Sequence, residues 1–497
     1  MKKLILFSFL FLGINSFSQI QLGSNIVGAA VGDDCGRSVS LSSDGMTVAI
    51  GSPLNDFTGS NAGLVRVYEF NTGTMSWEQL GNDIYGDAAD DEFGRAVSIS
   101  GDGSILAIGA PYNDGNGIDS GLARMYTYNT NTNTWDQLGS DIQGAFNSVG
   151  MAITGDRLGY AVSLSSDGST VAISSPFYQL DDGRVHVYSY NTNTSDWELV
   201  GSEILCLGGS WFGFSVSLSS DGGTLAIGLP RGFVNGATEI YTYNTNTDTW
   251  EQKGSRIVGE TTNDDSGTSV SLSLDGSVVA VGAPFNSGGG PSSGHVRVHA
   301  YNNNTGDWEQ LGNDIDGESF TYDAGVGLGL SGDGSIVAVG ERGGNGTNGQ
   351  ARIFRYNPTL EIWEQLGMDI DGEIQAILGT SMSVSADGSI VAIGGPTEGS
   401  TGVGPGYVGV YSFEEILSTD SVAIQETSLY PNPTKDQFTI QLNEGIQFQK
   451  ADIYNQLGQF VLSSSEAIVD VSNLSQGMYF VEVFTDQGKS TRKLIID

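Results

Sequence analysis

Residues with reactive or metal-binding side chains are scarce in this chain. It has two cysteines and three histidines among 497 residues. Cys35 and Cys206 lie far apart, so a disulfide scaffold is not expected. His186, His295 and His299 fall in strand-like segments at positions that vary between copies of a repeat. Such positions suit a catalytic or zinc-binding histidine poorly, so we predict structural roles for all three.

Basic residues are scarce too. Twenty lysines and arginines stand against 58 aspartates and glutamates, which gives a formal net charge of −38. A surface this acidic repels nucleic acid and anionic lipid, so neither is an expected partner. The same charge favours solubility or the association of cations.

Long hydrophobic runs are missing except near the N-terminus. Residues 4–13 are apolar and follow Lys2 and Lys3, but they are too few to span a bilayer. Small residues at 16 and 18 suit a cleavage site, so we predict a signal peptide over residues 1–18. No transmembrane segment is predicted.

One stretch recurs seven times, with its clearest copy, FGRAVSISGDGSILAIGAP, at residues 93–111. Two alternating runs flank an Asp-Gly turn, which is a strong hairpin signal. The turn aspartate recurs at intervals of 54 to 65 residues, as Asp44, Asp102, Asp167, Asp221, Asp275, Asp333 and Asp387. A period of this size with only strand signals inside it predicts a β-propeller or a related array.

Each repeat is interpreted as four strands. In the second repeat, strand A covers residues 93–100, strand B 104–111 and strand C 122–129, and strand D begins at Trp135. Small residues on one face of strand A suit the crowded centre of a propeller, whereas strands C and D carry columns of aromatic residues. We predict that these aromatics pack between blades and do not form a carbohydrate-binding platform.

The N-terminus completes the last repeat. The seventh repeat ends after its strand C, at residue 413, while residues 20–28 match the strand D segment of other repeats. The mature N-terminus should therefore pair with the last blade and hide the open edges of the array. We predict an all-β chain with a seven-bladed β-propeller over residues 19–413, in which the N-terminal strand closes the last blade.

The repeat resembles the FG-GAP repeats of integrin-α-like propellers. The motif is literal in Phe93-Gly94 and Gly109-Ala110-Pro111, whereas the sixth repeat departs from it with Glu341-Arg342 in place of Ala-Pro. The resemblance implies a propeller with a binding or adhesion function. Many members of that family carry a calcium loop between strands A and B. Here that loop has one carboxylate, so their calcium site is not carried over.

Residues 414–427 are predicted to be a linker, and residues 428–497 resemble the C-terminal sorting domain of the type IX secretion system of Bacteroidetes. The residues that carry this resemblance include Pro431, Asn432, Pro433, Gly458, Gly477, Tyr479 and Lys493. Alternating runs predict a small immunoglobulin-like β-sandwich. The resemblance implies export by the type IX machinery, with the propeller as cargo that is released or attached to the outer cell surface.

Acidic residues recur just before the strand A glycine in five repeats. They are Asp33, Asp34, Asp91, Glu92, Asp156, Asp264, Asp265 and Asp323. All lie where strand A begins, so they should share one rim of the propeller with the loops between strands B and C. We consider a rim that binds a cation, calcium in particular, or another ligand. The alternative is that these acids only stabilise turns.

No catalytic constellation and no nucleotide-binding motif is recognisable, so the protein is not expected to be an enzyme. Carboxylates are nevertheless plentiful enough to supply an acid/base pair. We therefore expect a monomeric binding or adhesion module for a surface glycan or a protein. An extracellular polysaccharide-active enzyme and a purely structural surface protein are the alternatives.

Overall fold

The computed structural model describes residues 17–149, 152–206, 208, 210–318, 322–343, 348–373, 376–397, 404–415, 428–442, 447–455, 460–485 and 488–496. The predicted signal peptide up to residue 16, most of the linker (416–427) and Gly458 lie outside these residues. The described residues divide into two compact units, one of Gln19–Phe413 and one that follows it up to residue 496. Over the described residues the all-β prediction is confirmed, apart from one four-residue helix, α1 (Tyr178–Asp181).

The strands of Gln19–Phe413 fall into sheets that repeat one plan. Strands β1 (Phe17–Gln21) and β2 (Ile26–Val27) come first. Sheet 1 has β3 (Ser38–Leu41), β4 (Thr47–Ser52), β5 (Leu64–Asn71), β6 (Ser76–Gln79) and β7 (Ile84–Tyr85). Sheet 2 has β8 (Ala96–Ile99), β9 (Ile105–Ala110), β10 (Leu122–Asn129), β11 (Thr134–Gln137) and β12 (Ile142–Gln143). The hairpin β13 (Phe146–Val149) and β14 (Ala152–Gly155) follows. Sheet 3 has β15 (Val162–Leu164), β16 (Thr170–Ser175), β17 (Arg184–Asn191), β18 (Asp196–Leu199) and β19 (Ile204–Leu205).

The second half of this unit continues the plan. Sheet 4 has β20 (Ser215–Leu218), β21 (Thr224–Leu229), β22 (Ala237–Asn244), β23 (Thr249–Gln252) and β24 (Ile257–Val258). Sheet 5 has β25 (Ser269–Leu272), β26 (Val278–Ala283), β27 (His295–Asn302), β28 (Asp307–Gln310) and β29 (Ile315–Asp316). Sheet 6 has β30 (Ala324–Leu330), β31 (Ile336–Glu341), β32 (Gln350–Asn357) and β33 (Ile362–Asp371). Sheet 7 has β34 (Ser381–Val384), β35 (Ile390–Gly395) and β36 (Tyr407–Glu415), together with β1 and β2.

Each sheet is antiparallel, and its strands lie in the order A, B, C, D from the first strand outward. In sheet 2, Val97 of strand A pairs with Ile108 of strand B, and Ile99 pairs with Leu106. The second residue of strand B is fully buried in every sheet, as Val48, Leu106, Val171, Leu225, Val279, Val337 and Val391. Strand B is covered on both faces by the neighbouring sheets, which explains its continuous apolar sequence.

The inner strands of the seven sheets form a closed ring within the described residues. Strands β3, β8, β15, β20, β25, β30 and β34 each contact the next, and β34 contacts β3. A circle of backbone hydrogen bonds of 2.7–2.9 Å runs through the A–B turns, from Ser43 to Gly101, Ser166, Ser220, Leu274, Gly332, Ala386 and back to Ser43. Each N–H donates to the carbonyl of the following turn, so no turn is left at an edge.

The N-terminal segment completes sheet 7, at the place predicted for it. Strand β1 lies beside β36, and Ile26 and Val27 of β2 pair with Val408 and Tyr407. The Leu22 N–H also donates a 2.8 Å hydrogen bond to the Val410 carbonyl. The ring is therefore closed by residues from both ends of this unit, which removes the exposed edge that an open array would present.

The strand D tryptophans join neighbouring sheets. In six sheets the indole Nε1–H donates a hydrogen bond of 2.7–3.1 Å to a carbonyl of the preceding sheet or segment, through Trp77, Trp135, Trp197, Trp250, Trp308 and Trp363. Gln19 stands at the tryptophan position of sheet 7, where its Oε1 accepts a 3.0 Å hydrogen bond from the Met368 N–H. These side chains pack between sheets, in agreement with the packing role predicted for them.

The second unit is a small pair of antiparallel sheets. One sheet has β37 (Ser428–Tyr430), β38 (Gln437–Gln441) and β41 (Ile468–Asp470), and the other has β39 (Phe448–Asn455), β40 (Phe460–Ser464), β42 (Gly477–Thr485) and β43 (Gly488–Ile496). Side chains from both sheets, among them Phe438 and Val481, share one buried core. The unit therefore has its own hydrophobic core.

The sequence-predicted sorting residues lie mostly at the surface of this unit. Pro431, Asn432, Pro433 and Lys493 are exposed, while Gly477 and Tyr479 are partly buried. Asn432 joins the start of the unit to its last strand, because its Nδ2 donates to the Lys493 carbonyl at 2.6 Å and its Oδ1 accepts from the Ile495 N–H at 2.9 Å. The Tyr479 hydroxyl donates a 2.9 Å hydrogen bond to the Ser475 carbonyl.

Candidate functional site

The acidic residues predicted at the rim fall into two groups, and the first group holds loops. Asp33 Oδ2 accepts a 2.7 Å hydrogen bond from the Ala30 N–H. Asp91 Oδ2 accepts hydrogen bonds from the Ala88 N–H at 3.2 Å and from Asn113 Nδ2 at 2.9 Å. Both carboxyl groups belong to buried residues. Their hydrogen bonds fix the conformation of the rim loops, as the turn interpretation expects.

Asp156 and Asp264 belong to the same group. Asp156 Oδ2 accepts a 3.0 Å hydrogen bond from the Ala145 N–H and forms an ion pair with Arg184. Asp264 Oδ2 accepts a 2.7 Å hydrogen bond from the Thr261 N–H. Oxygens that already accept protein donors are poorly available to a cation. Calcium binding at the rim stays a prediction.

The second group occupies the next position along the chain, one residue closer to the strand A glycine. It consists of Asp34, Glu92, Asp265 and Asp323, all with φ between +50° and +60°. Burial raises the pKa of Asp34, Asp265 and Asp323. Glu92 accepts a 2.7 Å hydrogen bond from Arg95. These carboxylates stand beside a cavity at the start of the inner strands, and they do not form a common cation cage.

The residue after the strand A glycine lines this cavity in every sheet. The cavity has a volume of about 410 Å³, and we call it the mouth. The seven residues at this position are Arg37, Arg95, Tyr160, Phe214, Thr268, Val326 and Thr380. Two are basic, two aromatic and three small, so the chemistry of the mouth changes around the ring. A concave site with a few charged groups and aromatic walls is typical of ligand binding.

Three arginines meet on one side of the mouth: Arg37, Arg95 and Arg342. Burial lowers the pKa of Arg37, and the charges of Arg95 and Arg342 lower it further against the attraction of Asp34. Arg95 forms an ion pair with Glu92 at 2.7 Å, whereas Arg37 and Arg342 form none with the described residues. This side of the mouth therefore brings three guanidinium groups together, with the carboxylates of Asp34 and Asp323 beside them.

Aromatic side chains form the adjacent wall. The ring of Tyr160 lies 5.2 Å from that of Phe214 and 5.5 Å from that of Phe177, measured between centroids. Trp211 stacks on Phe214 at 5.8 Å. The Arg95 guanidinium lies over Tyr160, 5.5 Å from the ring centroid, and so joins the two sides. Burial raises the pKa of Tyr160, which keeps its phenol protonated.

The residues of the mouth were not predicted from the sequence, where the acidic positions just before the glycine carry the more regular pattern. The available signal was the position after the glycine, which changes its chemistry from one repeat to the next. The Glu341-Arg342 departure from the motif was a second signal. Glu341 is fully buried, where it pairs with Arg352 and accepts a 2.7 Å hydrogen bond from Gln350 Nε2, while Arg342 reaches the mouth.

Two family models match parts of this chain. The FG-GAP repeat matches residues 86–126, and the secretion system C-terminal sorting domain matches residues 428–497. The chain therefore carries a segment that matches the FG-GAP repeat and a C-terminal segment that matches the sorting domain, in agreement with the sequence resemblance. The tail engages the type IX secretion machinery, so the protein is extracellular or attached to the cell surface.

Individual relatives cover less of the chain or resemble it weakly. An ulvan lyase of Nonlabens ulvanivorans is 39% identical over 87 residues, which amount to 16% of this chain and 16% of that protein. The periplasmic gluconolactonase of Pseudomonas aeruginosa is 15% identical with a TM-score of 0.47, over 68% of this chain and 85% of that one. A provisionally assigned 6-phosphogluconolactonase of Bacteroides uniformis is 14% identical with a TM-score of 0.48, over 68% and 86%. Similarities of this extent support no conclusion about activity. Among the described helices, none is long and apolar enough to cross a membrane.

Proposed function

We propose that residues 19–413 act as a secreted or surface-attached seven-bladed propeller whose mouth binds a carboxylate-bearing polysaccharide. The observation that carries this proposal is the group of Arg37, Arg95 and Arg342 beside an aromatic wall. Guanidinium groups bind carboxylates through paired, charge-assisted hydrogen bonds. Aromatic faces can cover the apolar faces of sugar rings. In the same proposal the protein is a monomer and its sorting tail is an immunoglobulin-like sandwich.

The shape of the mouth favours a glycan over a protein partner. A cavity of about 410 Å³ suits a few sugar units of a chain, whereas a protein partner needs an extended complementary surface. The net charge of −38 would repel an acidic polymer from most of the protein. The arginine side of the mouth is then the place where such a polymer gains attraction, so binding should be local and oriented.

Binding of the full-length chain to immobilised acidic and neutral polysaccharides tests this proposal. Each measurement is made with calcium and with a chelator, at low and at high salt. We expect binding to acidic polymers only, weakened by salt and independent of calcium. The variant R37A/R342A should lose binding. The control variant K253Q should keep binding, because Lys253 does not line the mouth and its Nζ donates a 2.9 Å hydrogen bond to the Gly276 carbonyl at an A–B turn.

The other outcomes separate the remaining hypotheses. Binding that requires calcium and survives R37A/R342A would overturn the arginine site and favour the acidic rim. A lack of binding to every polysaccharide would also overturn it, and would leave a protein ligand or a structural surface role.

A polysaccharide-active enzyme is the second candidate, which the match to an ulvan lyase over 16% of the chain leaves open. Eliminative cleavage needs a base next to the bound sugar acid, and Tyr160 lies beside the arginines. The raised pKa of Tyr160 makes its phenol a poor base near neutral pH. Release of shorter, unsaturated products from any bound polymer would establish the enzyme, whereas recovery of the intact polymer would favour the binding module.

A further inference from the structure

His295 is a buried imidazole that lacks a hydrogen-bond partner. It begins strand C of sheet 5 and is 1% exposed. Neither Nδ1 nor Nε2 forms a hydrogen bond with the described residues. The same position is Leu64 in sheet 1, Leu122 in sheet 2 and Ala237 in sheet 4, all buried, but it is Arg184 in sheet 3 and Gln350 in sheet 6. A buried polar ring that is left without a partner costs free energy unless something else binds it.

Two carboxylates face the His295 imidazole. Glu260 follows β24 of sheet 4, and Asp314 directly precedes β29 of sheet 5. His295 Nδ1 lies 3.9 Å from Glu260 Oε2 and 3.9 Å from Asp314 Oδ2. These separations are too long for hydrogen bonds. One candidate ligand atom from each of the three residues lies within 4.8 Å of the others, so a single ion between them would touch all three.

The second oxygen of each carboxylate is held by another side chain. Gln310 Nε2 donates a 2.7 Å hydrogen bond to Asp314 Oδ1. Arg297 Nη1 lies 3.6 Å from Glu260 Oε1. Each contact leaves the remaining oxygen, Oδ2 or Oε2, on the side of the imidazole. Outer contacts of this kind orient the ligands of metal sites and tune their affinity.

Sheet 2 shows what this arrangement replaces. There Arg124 forms ion pairs with Asp87 at 2.8 Å and with Asp141 at 2.6 Å, which are the counterparts of Glu260 and Asp314. In sheet 5 the corresponding arginine, Arg297, instead donates a 2.7 Å hydrogen bond to the Val258 carbonyl of sheet 4. Asp314 is thereby left without its arginine, and an imidazole stands where sheet 2 has a leucine.

We infer that Glu260, His295 and Asp314 form a binding site for a divalent transition-metal ion, with Zn²⁺ as the preferred occupant. One imidazole nitrogen and two carboxylate oxygens are ligands that Zn²⁺ accepts. Metal–ligand bonds of about 2.1 Å require the three atoms to close in by a few tenths of an ångström. Glu260 and Asp314 can do so because their side chains are 42% and 31% exposed.

An ion can reach the site from solvent, and once bound it would link two sheets. Both ring nitrogens of His295 lack a hydrogen-bond partner among the described residues, so the lone pair of the deprotonated nitrogen is open to a metal. Solvent reaches the site through the partly exposed carboxylates, which leaves a fourth coordination position for water. Because Glu260 belongs to the end of sheet 4 and the other two ligands to sheet 5, a bound ion would join neighbouring sheets and stabilise the ring.

Nitrogen NMR of the full-length chain tests this site directly. With three histidines in the sequence, ¹⁵N-histidine labelling yields three imidazole spin systems. After removal of metal by a chelator, one equivalent of Zn²⁺ should shift the ring nitrogens of one histidine and leave the other two unchanged. Calorimetry should report one site, and H295L should weaken Zn²⁺ binding by about tenfold or more.

Each variant carries a residue that another sheet has at the same position, so a loss of Zn²⁺ binding cannot be attributed to misfolding. H295L introduces the leucine that sheets 1 and 2 carry at this position, so it should fold. H299F is the matched control: His299 is also buried with an unpartnered Nδ1, but phenylalanine occupies its position in sheet 6, as Phe354. H299F should keep the Zn²⁺ site. Zn²⁺ binding that is unchanged in H295L, or a titration that shifts no histidine, would overturn the proposal.

Discussion

The two ends of the ring of sheets differ in the size of their cavities and in how uniform the lining residues are. At the A–B turns the cavity is only about 120 Å³, and each sheet lines it with the same kind of small or apolar residue. At the mouth the cavity is about 410 Å³, and the lining residue changes from arginine to aromatic to threonine or valine. Side chains that recur in every sheet therefore stabilise the ring, whereas side chains that differ between sheets line only the mouth and make its two ends chemically different. A binding site is expected at the end that is not repeated.

The uniform end follows from local hydrogen bonding. In each A–B turn a serine hydroxyl donates to the turn aspartate at 2.6–2.7 Å. In sheet 4, Ser219 Oγ also accepts a 2.8 Å hydrogen bond from the Thr224 N–H, so one side chain satisfies both strands of the hairpin. A turn closed this way leaves little freedom for variation.

The largest effect should come from the shared core. Leu106 is fully buried in strand B of sheet 2, between the neighbouring sheets. L106A should lower the free energy of unfolding by about 2–5 kcal/mol, because it removes apolar contacts and leaves a cavity. Denaturation followed by tryptophan fluorescence measures this, since all seven tryptophans lie within residues 19–413. I118A, at a residue 58% exposed, is the control and should change stability by less than about 0.5 kcal/mol.

Substitutions in the mouth should have the opposite effect to L106A: they should lower ligand affinity without lowering the free energy of unfolding. Each arginine that binds a carboxylate should contribute about 1.5–3 kcal/mol, so R37M should weaken polysaccharide binding roughly tenfold to a hundredfold. Its unfolding free energy should stay unchanged or rise, because the substitution removes a half-buried charge beside Arg95 and Arg342. A parallel loss of stability and binding would show that Arg37 belongs to the scaffold.

A smaller effect is expected from a single A–B turn. S219A removes the hydroxyl that accepts from the Thr224 N–H and donates to Asp221, and it should cost about 1–3 kcal/mol without changing ligand affinity. The neighbouring S220A is the control, because the Ser220 contact to the next turn is made by its backbone N–H. Equal effects of the two variants would contradict a role for the side-chain hydrogen bond.

The smallest effect should be a pH dependence at the same turn. The hydrogen bond from Ser219, helped by the Gly223 N–H, lowers the pKa of Asp221 in the folded protein. The resulting stabilisation is present above the pKa of an unfolded aspartate, about 4, and is lost as the pH falls through the lower folded value. Denaturation at pH 5, 4 and 3 should therefore show a slightly shallower decline for D221N than for the native chain. Identical pH profiles would argue against this coupling.

Much of the fold could be predicted because the same local signals occur in every repeat. The Asp-Gly turn, the alternating strand A and the tryptophan of strand D each carry their structural meaning within a few residues. Even the closure by β1 and β2 was visible, since residues 20–28 repeat the strand D segment. The mouth was not visible in the same way: Arg37 and Arg342 lie far apart in the chain, and no local pattern says that they share a cavity.

The all-β architecture, the sorting tail and the repeated turns could be predicted from the sequence, because periodic patterns and short motifs act over neighbouring residues. Which unrepeated residues come into contact depends on how the sheets pack in three dimensions. Ring closure brings Arg342 of sheet 6 near Arg37 of sheet 1, and the packing of two consecutive sheets brings Glu260 of sheet 4 to His295 of sheet 5. The folded loops also show that the rim aspartates Asp33 and Asp91 stabilise their own loops, because their carboxylates accept hydrogen bonds from loop N–H groups.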